Sequence, residues 1–91
     1  MERQTIQMTE PEFELMDELY FVISFEELQG RLGMDQARLK ELLETLFNKG
    51  YVKCFANVSD ELPNDDIDFE NNYLNYHYLA SKEGLFAHNS R

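Results

Sequence analysis

Basic residues are scarce in this sequence: 8 Lys and Arg stand against 18 Asp and Glu, a net charge of -10. A surface of that sign repels phosphate at a distance, whereas nucleic-acid binders usually carry a basic footprint on at least one face. Cysteine is nearly absent as well. The single Cys54 excludes an internal disulfide, and with no Cys or His at ligand spacing a structural zinc site is unsupported. Long apolar runs are also missing. Runs such as Tyr20 to Ile23 fall far short of the roughly 18 residues a membrane span needs. The opening MERQTIQM lacks the apolar stretch of a signal peptide. The chain therefore reads as cytoplasmic, with no membrane partner.

Apolar side chains are nevertheless plentiful. The composition is 43% hydrophobic and 13% aromatic, with 7 Phe and 5 Tyr, enough bulky surface to offset the chain entropy that keeps polar sequences disordered. At 91 residues there is room for one core, so residues 1–91 are read as a single domain.

The first eight residues show no clear period and read as a frayed end or an edge strand. From Thr9 the signals sharpen. Thr9-Glu10-Pro11-Glu12 fits a capping box, with Pro11 tolerated where its missing N–H would be unpaired anyway. Phe13, Met16, Tyr20 and Ile23, joined by Leu15 and Leu19, then recur at helical spacing. Phe21-Val22-Ile23 either ends this first helix or forms a short strand. Ser24-Phe25-Glu26-Glu27 is a second capping box, opening a helix with Phe25, Leu28 and Leu32 as its buried stripe. Gly33 supplies a left-handed cap and Asp35 caps a third helix. In that helix Leu39, Leu42, Leu43, Leu46 and Phe47 follow the i, i+3, i+4, i+7, i+8 template, and Lys49-Gly50 closes it.

After Gly50 the period changes to alternation. Val52, Cys54 and Ala56 share one face of a strand, and Leu74, Tyr76, Tyr78 and Ala80 one face of a second. Between them lies an acidic connection of about fifteen residues, VSDELPNDDIDFENN, within residues 57–72, a length at which loops tend to be functional or disordered. Ser81 is placed to cap a short final helix through Leu85, Phe86 and Ala87.

The stretches FVISFEELQGRLGM, LKELLETLFNKGYV and YHYLASKEGL resemble the winged helix-turn-helix superfamily of MarR-like and ArsR-like type. The resemblance runs over about Thr9 to His88 and implies an α+β winged helix: a three-helix core, a two-stranded antiparallel wing and a short C-terminal helix. Two features depart from the DNA-binding pattern. Only about seven residues follow Gly84, so the long dimerisation helices usual in such repressors are expected to be missing or to come from elsewhere. The wing carries Asp60, Glu61, Asp65, Asp66, Asp68 and Glu70 and nothing basic.

Turning the apolar stripe of the third helix inward places Ala37, Glu41, Glu44 and Asn48 at the centre of its exposed face, flanked by Arg38 and Thr45 on one side and Lys40 on the other. Phosphate neutralisation by Lys and Arg dominates DNA affinity, and within Ser24 to Lys49 four basic residues meet five acidic ones. Pairing of Arg38 with Glu41 and Lys40 with Glu44 at helical spacing accounts for them as a solvated face. Three functional readings follow. A non-enzymatic protein-interaction module in transcription regulation or a related assembly would meet a basic partner through Glu14, Asp17 and Glu18 of the first helix and through Asp65, Asp66, Ile67, Asp68, Phe69 and Glu70. Ile67 and Phe69 would then be apolar anchors among carboxylates, or else fold back to tether the loop. A small DNA-binding regulator would use Arg38, Lys40 and Thr45. An acidic DNA mimic would occupy another protein's nucleic-acid groove. Asp66-x-Asp68-x-Glu70 lacks the glycine turn and downstream Glu of a calcium loop, and His77, His88 and Cys54 read as structural. No catalytic constellation, cofactor or small-molecule substrate is evident.

Overall fold

The computed structural model describes residues 8–89. The frayed-end or edge-strand reading of the first eight residues lies outside them, except for Met8, which packs half-buried against the core.

Helix α1 spans Glu10–Asp17, and its capping box is formed in both directions. Thr9 Oγ1 accepts from the Glu12 amide at 3.3 Å, and the Glu12 carboxylate accepts from the Thr9 amide at 3.0 Å. The helix stops before Tyr20 and Ile23, short of what the apolar period predicts. Glu18 caps it, and the Leu19 carbonyl accepts from the Ala80 amide at 2.9 Å. The chain therefore leaves the helix to join a sheet, and Ile23–Ser24 form strand β1.

Ser24 then caps α2, Phe25–Leu32, by accepting from the Glu27 amide. Gly33 ends α2 at φ 63°, a conformation a side chain would strain. Asp35 Oδ1 accepts from the Arg38 amide at 2.7 Å and opens α3, Gln36–Asn48. At its far end Tyr51 donates to the Leu46 carbonyl and Gly50, at φ 83°, to the Phe47 carbonyl. This paired closure satisfies two carbonyls that the helix would otherwise leave open.

Strands β2, Val52–Phe55, and β3, His77–Ala80, pair antiparallel, and β1 pairs with β3 to give the sheet order β1-β3-β2. Ile23, Tyr78 and Cys54 make one row across all three strands, and all three side chains enter the core formed with α1, α2 and α3. Among the described residues the architecture is α+β, five helices with a three-stranded antiparallel sheet, and its element order is compatible with a winged-helix-like layout. No helix among the described residues is long and apolar enough to cross a membrane.

The second strand is shorter than alternation predicts. Tyr73–Asn75 wind into a 3-10 turn and Leu74, expected on the inner face, is 51% exposed. Tyr73 explains the difference. Its hydroxyl accepts from Gln36 Nε2 at 2.7 Å, its carbonyl accepts from the Tyr78 hydroxyl at 2.7 Å, and its ring meets Phe25 edge-on at 5.2 Å. Those contacts hold Tyr73 against α2 and α3 rather than in line with β3.

The long acidic connection is a folded structure. Ala56 donates to the Asp60 carbonyl and Leu62 to the Cys54 carbonyl, closing a tight tip, and a bridge joins Phe55 to Glu61. The chain then returns through a 3-10 turn at Asn64–Asp66 and a single-turn helix α4, Phe69–Asn72. The final helix α5, Lys82–Asn89, begins where Ser81 Oγ accepts from the Gly84 amide and donates to the Gly50 carbonyl at 2.6 Å. Near its end the buried His88 stacks on Phe13, with ring centroids 4.2 Å apart, and its Nδ1 shares a hydrogen bond with the Tyr20 hydroxyl at 2.9 Å.

Cys54 is 1% exposed, and desolvation pushes its thiol up to about 12. Only the unfolded chain ionises this thiol between its ordinary value of about 8.5 and that limit, so it contributes nothing below pH 8 and its ionisation favours unfolding as pH climbs above 9. Burial of Tyr78 acts in the same direction. The native protein is expected to resist an aromatic disulfide reagent at pH 8 and to react fully once denatured. Rapid labelling of the native chain would mean that the sheet row opens readily.

Candidate functional site

The outward face of α3 is where the sequence places both its DNA contacts and their acidic neighbours. Glu41 and Asn48 are exposed and Glu44 half-buried. Arg38 Nη1 lies 4.0 Å from Glu41 one turn on. Lys40 is drawn between two carboxylates: its Nζ donates to Glu44 at 3.3 Å and to Glu70 at 3.1 Å, and sits 5.8 Å from the centre of the Tyr73 ring. Hydrogen bonding to Glu70, then to Glu44, holds its ammonium above the ordinary lysine value against partial desolvation. Thr45 is half-buried, and its carbonyl accepts from the Lys49 amide.

The same arrangement extends around the molecule. Lys49 Nζ lies 3.4 Å from the buried Glu12, Lys53 Nζ lies 3.4 Å from Glu61, and Arg31 bridges Glu18 at 3.4 Å and Glu27 at 3.0 Å. Isolated surface pairs of this kind contribute little to stability. Their consequence is for ligands, because a phosphate brought to any of these cations is brought to a carboxylate as well.

The return segment carrying Glu70 covers one flank of α3. Gln36, Lys40 and Phe47, on one helical stripe, meet Tyr73, Glu70 and Phe69 respectively. Of the residues expected to face a partner, Asp65, Asp66, Asp68 and Glu70 are exposed. Asp68 turns its carboxylate to cap α4 through Asn71, at 3.3 and 2.8 Å. Ile67 is half-buried against the core. Phe69, expected among the partner-facing residues, is a correction: it is 6% exposed and lies 5.3 Å from the Phe47 ring, 6.3 Å from Tyr76 and 6.1 Å from Tyr78. The apolar area it removes from water and the three neighbouring rings favour tethering over docking. On α1, Glu14 is exposed, Asp17 Oδ1 lies 2.9 Å from His88 Nε2 without hydrogen-bond alignment, and Glu18 is engaged by Arg31. The two acidic groups thus sit on separate parts of the fold, one beside α2 and α5, the other against α3.

Hollows open on the surface formed by the described residues. A shallow groove of about 400 Å³ is lined by Tyr51, Lys82, Glu83, Phe86 and Ala87. A smaller one of about 90 Å³ is lined by Glu18, Phe21, Val22, Ile23, Glu27 and Arg31. Phe21, 82% exposed, is a residue that sequence reasoning did not single out. A signal for it existed, because the apolar run from Leu19 to Ile23 is too long to turn wholly toward one core: Leu19 and Ile23 take the inward places and Tyr20 and Phe21 are left outside. No group of three His, Cys, Asp or Glu side chains placed to hold a metal occurs among the described residues.

No family model, curated protein or solved structure matches the chain.

Proposed function

We propose that this chain is an acidic winged-helix module, non-enzymatic, that meets a basic protein surface in transcription regulation or a related assembly. The observation that carries the reading is the engagement of Lys40 by Glu44 and Glu70. A helix that reads DNA needs its cations directed outward toward phosphate. Here the cation nearest the middle of α3 is held by two carboxylates, one of them supplied by the segment that would form the wing. Glu41 stands beside Arg38 in the same way. The local field over α3 is therefore acidic, in keeping with the net charge of -10, and such a field steers basic partners in and phosphate away.

A low-salt titration against random-sequence duplex DNA tests this directly, with the double substitution Arg38→Ala and Lys40→Ala as control. No retention of DNA is expected, with or without the substitutions. Binding that weakens with added salt and with the double variant would establish the DNA-binding regulator instead.

A further inference from the structure

The sequence pattern that suggests docking, an apolar anchor among carboxylates, is absent at Phe69 but present at Phe21. Phe21 is 82% exposed and lines a hollow of about 90 Å³ together with Val22, Ile23, Arg31 and the acidic Glu18 and Glu27. Arg31 occupies the space between those carboxylates, its two terminal nitrogens 3.4 Å from Glu18 and 3.0 Å from Glu27. Its side chain is still 55% exposed, so the guanidinium is held at the mouth rather than sealed in. Glu14 and Asp17 of α1 and Glu26 of α2 are exposed nearby in the chain and extend the negative field.

The geometry points to this hollow as the docking point for a basic protein segment that lays an apolar side chain on Phe21 and places a guanidinium or ammonium group against Glu18 and Glu27, displacing Arg31. Charge complementarity selects the occupant. Two carboxylates matched by one cation leave an excess negative charge beside an exposed aromatic face, and that combination attracts cations both through charge and through the ring. Large aromatic side chains surrounded by polar groups are also where interface energy concentrates. Arg31 shows that the site accepts a guanidinium in the free protein, which makes it an internal stand-in for the partner's residue. This inference rests on the proposed protein-interaction function and gives it a location.

The test uses the full chain and an eight-residue peptide of alternating arginine and leucine, followed by fluorescence anisotropy at physiological ionic strength, with each variant's thermal melting checked. Phe21→Ala and the pair Glu18→Gln/Glu27→Gln are each expected to weaken binding at least about tenfold, the range of an interface anchor. The pair Asp65→Asn/Asp66→Asn, an equal charge change on the far acidic segment, should change it less than about threefold. Arg31→Ala should tighten binding, because the site is vacated. Equal losses from both carboxylate pairs, or no gain from Arg31→Ala, overturn the assignment of the hollow while leaving a basic partner in place. No binding of the peptide by any form overturns both the hollow and the protein-interaction reading. Phe21 is so exposed that its truncation should leave the fold intact, so a loss of binding there reports on docking.

Discussion

Gly84→Ala is expected to unfold or severely destabilise the protein, although Ala is the better helix former by about 1 kcal/mol. Gly84 lies inside α5 where that helix crosses the turn between α3 and β2. A methyl group at this position would overlap the Tyr51 carbonyl oxygen and lie 2.9 Å from Met16 Cε. The carbonyl has no freedom to retreat, since it accepts from the Ser81 amide at 2.9 Å, and Ser81 is tied in turn to the Gly50 carbonyl. Met16 is fully buried behind it. Accommodating the methyl group therefore means lifting α5 off the core, at a cost of at least about 3 kcal/mol, the upper range for overpacking. In a domain of this size that corresponds to a fall in Tm of about 15 °C or more. Gly30→Ala provides the counter-case. Gly30 is within α2, with nothing within 4 Å of an added Cβ, so the same substitution should raise stability by up to about 1 kcal/mol. Thermal melts of the two variants must move in opposite directions. A Gly84→Ala protein as stable as its parent would show that α5 is not seated on the Tyr51 carbonyl.

Gly84 also shows where reading a sequence stops. Its role is a close approach between elements thirty-three positions apart, from Tyr51 to Gly84, and no local pattern encodes that. What was legible is local or periodic. The caps at Thr9, Ser24 and Asp35 and the glycine turns at Gly33 and Gly50 are formed as their residue types require, because each side-chain oxygen or missing Cβ acts within a few residues of itself. The apolar stripe of α3 has four fully or nearly buried members, Leu39, Leu42, Leu43 and Leu46. Misreadings arose where a long-range contact prevailed over a local period. Tyr20 continues the helical spacing of α1, yet the Leu19 carbonyl is claimed by Ala80. Leu74 continues the alternation of β3, yet Tyr73 is held by Gln36 and Phe25. The acidic residues were plain in the composition, but which cation each one engages depends on the path of the return segment. Lys40 with Glu44 follows from helical spacing, whereas Lys40 with Glu70 spans thirty residues.

Phe69→Ala is the substitution that joins these observations to function. The side chain is 6% exposed and its ring lies among Phe47, Tyr76 and Tyr78, so truncation should cost about 3 kcal/mol, at the low end for a buried phenylalanine because the site lies under a segment that can move to fill or open the cavity. The loss should be uneven. Residues 64–75 are held to the body by Phe69, by the hydrogen bond between the Tyr76 hydroxyl and the Asp68 amide at 2.8 Å, and by Glu70 and Tyr73 on α3. With the central ring removed, the remaining polar ties are few and largely exposed. Amide hydrogen exchange should therefore rise across 64–75 well before α2 and α3 lose protection. Release would free Lys40 from Glu70 but leave it beside Glu44, with Glu41 still next to Arg38. DNA affinity should consequently stay low in the Phe69→Ala protein. If exchange and melting are unchanged, Phe69 does not tether the segment and becomes available as a partner-facing anchor. If DNA binding appears on release, the segment is a cover over a DNA-reading helix, and the acidic face of α3 is overcome by the single cation that Glu70 had held.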